Sequence, residues 1–208
     1  MLRYRRLPHH VFSDTMKAGG VTSAQGNKYG QAYCTQFGWA RVHPMKLKSE
    51  AHETLSLLFK RDGVPPKIVV DNSKEQTLGK FLKKCKEADS HLVTAEPYSP
   101  WMMAAEGCIK QTKHGSSRKM LKSSIPKVLW DHCIEFEALI RSHTALDIYG
   151  LEGQVPETLM SGQTGDISNL CEFEWFQWVM FYQPTEPYPV EKCLSDGGLA
   201  LPLMLARP

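Results

Sequence analysis

Three acidic residues, Asp14, Asp71 and Glu106, stand at the ends of short runs of apolar or small residues rather than within charged stretches. Asp14 closes "HHVFSD", Asp71 closes "KIVVD" and Glu106 closes "MMAAE". Carboxylates brought together from separate elements repel one another unless a divalent cation neutralises them, and hard oxygen donors of this kind suit Mg²⁺ or Mn²⁺. Two such ions can activate a water or hydroxyl nucleophile and stabilise the leaving oxygen of a phosphoryl transfer. Lys110 and Lys113 extend the pattern. They follow Glu106 by four and seven residues, which puts all three on one helical face, where the ammonium groups could hold phosphates. The competing reading of that helix is a solvated face with a few charge pairs, and of Asp14 a turn former ahead of Thr15. No clear Ser-His or Cys-His arrangement is present, so the pattern calls for no covalent protein intermediate.

The elements that would position these acids can be read from periodicity. "HHVFSDTM" predicts a short strand ending at an acid, and "GNKYGQAYCTQFGWARVHPM" two further strands with Gly38 near the bend. "LKSEAHETLSLLFKRDG" has helical periodicity, with Ser49 as a possible cap and Gly63 as a stop. "VPPKIVVDN" reads as a buried strand entering a loop, "TLGKFLKKCKEA" as a short amphipathic helix and "HLVTAEPYSP" as a strand before a proline-marked loop. "WMMAAEGCIKQTKHGSSRKMLKSS" is expected to be helical with a break near Gly115, and "PKVLWDHCIEFEALIRSHTAL" a helix with Pro126 in its first turn. "VPETLMSGQTGDISNL" reads as loop, and "CEFEWFQWVMFYQ" as an apolar, aromatic run. Three strands, helix, strand, helix, strand and then helices make a mixed α/β domain.

Charge is unevenly distributed along the 208 residues. Residues 151–208 hold eight of the 22 acidic side chains and two of the 25 basic ones, so residues 1–150 carry 23 basic against 14 acidic, a net of +9. Residues 107–130 contain six Lys or Arg, among them Arg118 and Lys119, and no acid. A basic body of this kind attracts polyanions, and a basic segment can follow a phosphate backbone. The acids Glu75, Glu87, Asp89 and Glu96 read as surface charges. Six scattered cysteines without a C-x-x-C pair suggest reduced thiols, and hence the nucleus or cytoplasm. "HH" at 9–10 has no cysteine pair to complete a zinc site. No run approaches the length of apolar sequence that spans a membrane, and the basic start lacks the apolar stretch of a signal peptide.

The words around the three acids resemble a known family. "VVDNSKEQTLGKF" is similar to the strand-Asp-Asn stretch, and "PYSPWMMAAEG" to the Pro-Tyr-x-Pro loop and glutamate helix, of retroviral and retrotransposon integrases. "SDTMKA" and "GNKYGQAYCTQFGWARVHPM" resemble the first hairpin region of copia-type LTR-retrotransposon integrases, and the likeness runs over roughly residues 8–185. The resemblance implies a ribonuclease H-like fold: a five-stranded mixed sheet flanked by helices, with a C-terminal helical and small β extension. It also implies 3′-end processing and strand transfer of element DNA into a target, with two Mg²⁺ or Mn²⁺ ions. Asp14, Asp71 and Glu106 match the metal-ligating acids. Lys110 and Lys113 match basic positions that contact the DNA end, Tyr98 a position near the scissile phosphate, and Asn72 a residue that braces the loop. The implied partners are element and target DNA, and further copies of the chain where flanking domains are present, with no membrane.

The expected organisation is a catalytic core over 1–125, a helical extension over 126–166 and a truncated β and aromatic segment over 167–208. Ser73 stands where the family usually has glycine, Gln111, Thr112 and His114 depart from its helix, and "EKCLSDGGLALPLMLARP" does not continue its pattern. Two alternatives therefore stay open beside DNA integration: a catalytically inactive nucleic-acid-binding relic, and a ribonuclease H-like nuclease.

Overall fold

The computed structural model describes residues 4–71, 74–95, 100–148, 150–172 and 175–177, with the side chains of 74, 75, 100–105 and 169 outside the description. Asn72, Tyr98 and most of the aromatic run after 172 therefore lie outside the described residues. The chain divides into two compact units, Met1–Ile167 and Ser168–Pro208.

Alternation of inward and outward side chains builds the first unit's sheet. Strands β1 (Val11–Lys17), β2 (Tyr29–Cys34) and β3 (Ala40–Met45) form an antiparallel meander. Strands β4 (Lys67–Val70) and β5 (His91–Thr94) add in parallel on the other side of β1, giving the order β3-β2-β1-β4-β5. Parallel neighbours need crossover connections. Helix α1 (Ala51–Arg61) carries the chain from β3 to β4, and α2 (Lys74–Thr77) with α3 (Gly79–Glu87) carries it from β4 to β5. Helices α4 (Pro100–Lys122), α5 (Trp130–His143) and α6 (Pro156–Ser161) follow. This is the five-stranded mixed sheet with flanking helices that the resemblance implies.

Each sheet face covers its own apolar core. Val11, Tyr33, Ile68 and Val70 pack with Leu55 and Leu58 of α1 and with Phe81 and Cys85 of α3. Phe12, Met16, Ala32, Cys34, Val42 and Val69 pack on the other face with Cys108 and Ile109 of α4 and Ile134 and Ala138 of α5. Burying one such Leu, Ile or Phe side chain is worth about 1.5–3 kcal/mol, so both helical layers are held by the sheet they cover. Arg41 ties the far end of the first unit together. Its guanidinium donates to Asp62 beyond α1 at 2.9 Å, to Glu157 of α6 at 2.7 Å and to Ser142 of α5 at 3.1 Å, and lies over the Trp39 ring.

Four local expectations change. Asp14 is in the middle of β1 rather than at its end, because antiparallel pairing to β2 continues to Lys17 opposite Tyr29. Ser49 does not cap α1; the Glu50 carboxylate instead accepts from the Lys46 and Leu47 amides at 2.8 and 3.3 Å. Helix α4 is unbroken at Gly115, where the missing Cβ makes room for Glu137 of α5. The loop expected after Val155 contains α6, with Pro156 in its first turn and Gly162 at φ +69° ending it. In the second unit the described helix is α7 (Ser168–Glu172); the rest of the expected β extension falls mostly outside the described residues.

Candidate active site

Strand register brings Asp14 and Asp71 together. The parallel β1–β4 ladder pairs Val11 with Ile68, Phe12 with Val69 and Ser13 with Val70, a constant offset of 57. The ladder ends there, and Asp14 and Asp71 are the residues that directly follow its last pair, Asp14 within β1 and Asp71 just past the end of β4. Alternation fixes their face. Phe12 and Met16 flank Asp14 and Val69 precedes Asp71 by two, and all three belong to the core beneath α4 and α5.

Helix α4 crosses that face. Its buried stripe includes Cys108, Ile109, Thr112 and Ser116, with Thr112 and Ser116 returning their hydroxyls to carbonyls one turn back. Glu106, Lys110 and Lys113 lie off the stripe and are exposed. The helix therefore presents the Glu106 carboxylate and the Lys113 ammonium near the half-buried Asp14, with Lys110 exposed on the same helix. Burial raises the Asp14 carboxyl above its ordinary value, the neighbouring charges of Asp71 and Glu106 raise it further, and the Thr15 amide and Lys113 work against the rise. All three acids and Lys113 thus share one electrostatic neighbourhood. Asp14 also accepts from the Thr15 amide at 2.6 Å.

The donor set has the chemistry that a hard divalent cation requires, and the raised Asp14 carboxyl marks a local excess of negative charge that a cation would relieve. The distances are looser. Among the described residues, no three His, Cys, Asp or Glu side chains stand close enough together to hold one ion. Asp71 and Glu106 are both exposed, and like charges keep apart when nothing compensates them.

The remaining expected DNA contacts separate. Arg118 is exposed on α4, whereas Lys119 is 2.6 Å from Glu137 of α5 and only 30% exposed, so its charge is engaged within the fold. Two sets of residues near the acids carried no clear sequence signal. On the opposite sheet face, Gln31 donates to Ser13 at 2.7 Å, Thr15 donates to Gln31 at 2.8 Å, and Gln76 of α2 donates to Thr15 at 3.0 Å. That chain anchors Gln76 of α2 to the strand that carries Asp14. The available hint was Gln31, a polar residue at an inward position of an apolar strand. On the acids' own face, the Cys34 and Cys108 thiols meet. Their hydrogen bond and burial hold Cys34 well above the ordinary thiol range, while the same bond, with Arg141 nearby, lowers Cys108.

No protein-family model matches the sequence, and no curated protein matches it. Solved structures do match the fold. The magnesium-bound HTLV-2 integrase catalytic core domain, in a trimeric form, aligns with a TM-score of 0.57 at 17% identity over 76% of this chain and 99% of that one. The BIV integrase catalytic core aligns with a TM-score of 0.51 at 15% identity, over 73% of this chain and 93% of that one. A chain of the simian T-cell lymphotropic virus intasome, in complex with the PP2A regulatory subunit B56 gamma, gives 0.56 at 19% identity. That match covers 76% of this chain and 56% of the intasome chain. At these identities the likeness establishes the fold: the five-stranded mixed sheet and flanking helices are those of the ribonuclease H-like catalytic cores of retroviral integrases.

Proposed function

We propose that this chain is an integrase-type catalytic core of copia-type retrotransposon character, which binds DNA and carries out 3′-end processing and strand transfer. The observation that carries the reading is that Asp14 and Asp71 directly follow the last β1–β4 pair, Ser13–Val70, with Glu106 and Lys113 of α4 close enough to act on the Asp14 carboxyl. Asp14, Asp71 and Glu106 would hold two Mg²⁺ or Mn²⁺ ions, which when bound supply the charge that activates the nucleophile and stabilises the leaving oxygen. The chain's own part is to bind and orient. The Thr15 amide holds the Asp14 carboxylate, the Gln76–Thr15 bond anchors Gln76 of α2 to β1, and Lys110 and Lys113 offer ammonium groups to the phosphates of a DNA end. In strand transfer a DNA 3′-hydroxyl attacks a target phosphodiester in line. A new phosphorus–oxygen bond forms as the old one breaks, and the hydroxyl proton leaves to solvent. Asn72 and Tyr98 are proposed to brace the loop and to approach the scissile phosphate. Arg118, and less directly Lys119, would extend the basic track. Five free thiols among the described residues fit a reducing compartment, the nucleus or cytoplasm.

A second reading is favoured by one observation, the lack of a metal-holding group of three among the described residues. It is a relic that keeps the fold and the basic surface without the chemistry. A Mn²⁺-dependent disintegration assay on branched DNA separates the two, because it asks for the chemistry alone. Strand joining by the wild type that disappears in Asp71→Asn is the expected result. A folded wild type that binds DNA yet joins nothing at any Mn²⁺ concentration leaves the relic.

A further inference from the structure

A groove of about 610 Å³ runs between α1 and α3, on the sheet side away from Asp14, Asp71 and Glu106. Lys60 comes from one wall, and Lys80, Lys83 and Lys84 from the other, spaced so that one face of α3 turns into the groove. Two carboxylates oppose these four ammonium groups. Glu87 lies 3.9 Å from Lys83, and Glu53 lies 3.8 Å from His52. The Lys83–Glu87 pair is exposed on both sides and of the kind that contributes little, and the Glu53 carboxylate is likewise exposed. Among the described residues, Lys60, Lys80 and Lys84 make no ion pair, so nothing in the fold accounts for their gathering.

We infer that this groove is a second binding site for the phosphate backbone of duplex DNA, back to back with the acidic site. Leu57, 43% exposed, gives it an apolar patch, and concave walls carrying one sign of charge focus the field on an incoming anion. No Phe, Tyr or Trp lines the groove, and its one ring, His52, has a side chain only 17% exposed, so the groove offers no broad platform on which unpaired bases could stack. What it offers is a row of cations. Between Lys80 and Glu87 the helix advances about 10 Å, a length over which a duplex presents on the order of six phosphates. A chain with DNA contacts on both faces of one sheet could hold two duplex segments at once. The inference rests on the proposed DNA-binding function and extends it to a face that the chemistry does not use.

The test is fluorescence anisotropy of the full chain with a short labelled duplex, titrated over a range of salt. Five proteins are compared: the wild type, Lys80→Ala/Lys83→Ala/Lys84→Ala, Lys110→Ala/Lys113→Ala, Glu53→Gln/Glu87→Gln, and a charge control, Lys28→Ala/Lys46→Ala/Lys48→Ala, from exposed positions beside β2 and β3. Circular dichroism confirms that each is folded. The inference expects the groove variant to lose roughly tenfold in affinity and two to three units of salt slope, at about 0.9 per phosphate contact, while the charge control changes by less than threefold. Glu53→Gln/Glu87→Gln should bind more tightly than the wild type. If the groove variant matches the wild type, or merely matches the charge control, while Lys110→Ala/Lys113→Ala weakens binding, the groove inference fails and the proposed function stands. If the wild type does not bind duplex DNA at all, the proposed function fails and the groove inference falls with it.

Discussion

Burial, followed by the charges of Asp71 and Glu106, makes Asp14 harder to ionise in the folded chain than in the unfolded one, where the ordinary value is 3.8. The direction sets a pH dependence. A carboxyl whose folded value is raised favours the folded state while protonated, so its contribution is fully present below 3.8 and is lost as pH rises through the folded value. At neutral pH the ionised Asp14 therefore works against folding. Asp14→Asn removes that charge and keeps the shape, so it should unfold at a higher temperature than the wild type at pH 7. The difference should shrink as pH falls through the window above 3.8, which thermal melts of the two proteins across pH would follow. An equal difference at every pH would remove the electrostatic account of this residue. An acid that costs stability where it stands is what a site built to receive a cation would contain.

Helix α4 can lie close to α5 because residue 115 has no side chain. A Cβ there would fall on the Glu137 carboxylate, and Glu137 is the partner of Lys119. Two effects oppose each other on Gly115→Ala. Alanine gains about 1 kcal/mol of helix propensity, and overpacking together with the displaced ion pair costs about 1–3 kcal/mol. The substitution should therefore destabilise the wild type modestly, yet stabilise a Glu137→Ala background by about 1 kcal/mol, as chemical denaturation of the two pairs would show. The same contact explains what could be read in advance and what could not. Periodicity gave the helix, but a glycine within it looks like a break until the approach of another helix is known. Lys119 likewise reads as part of a basic track, because Glu137 is 18 residues away in the chain and adjacent only in the fold. Asp14 and Asp71 stood out because each closes an apolar run within words that resemble the integrase family's, whereas the register that sets them side by side is a pairing between distant strands and leaves no mark in the sequence. The Gln76–Thr15–Gln31–Ser13 chain was not legible either, since hydrogen bonds between distant polar residues leave no periodic trace.

Over the whole first unit, one side chain, Arg41, reaches the end of α1, α5 and α6 together. Arg41 bonds to residues that follow it by 21, 101 and 116 positions, and its partners Asp62 and Glu157 are only 12% and 16% exposed. Removing the cation alone leaves two nearly buried carboxylates uncompensated. Arg41→Met should cost about 3 kcal/mol, and adding Asp62→Asn and Glu157→Gln should restore part of that loss, both measured by urea unfolding. No recovery in the triple variant would mean that packing over Trp39, rather than charge, is what Arg41 supplies. At this scale the acidic site is also seen to depend on phase and not on chain length. Asp14 and Asp71 each follow the last pair of two strands that run in step, so the 56 residues between them bear on the site only through that register. The turn at Gly19 and Gly20 has open space around it and lies within that interval. Residues added there would change the count between the acids and leave that register as it is. A single residue added within Lys67–Val70 would turn Asp71 toward the wrong side of the sheet. Kin of this chain could thus differ widely in the distance between their two aspartates and keep the same centre, so a search keyed to a fixed interval would miss them while one keyed to strand phase would not.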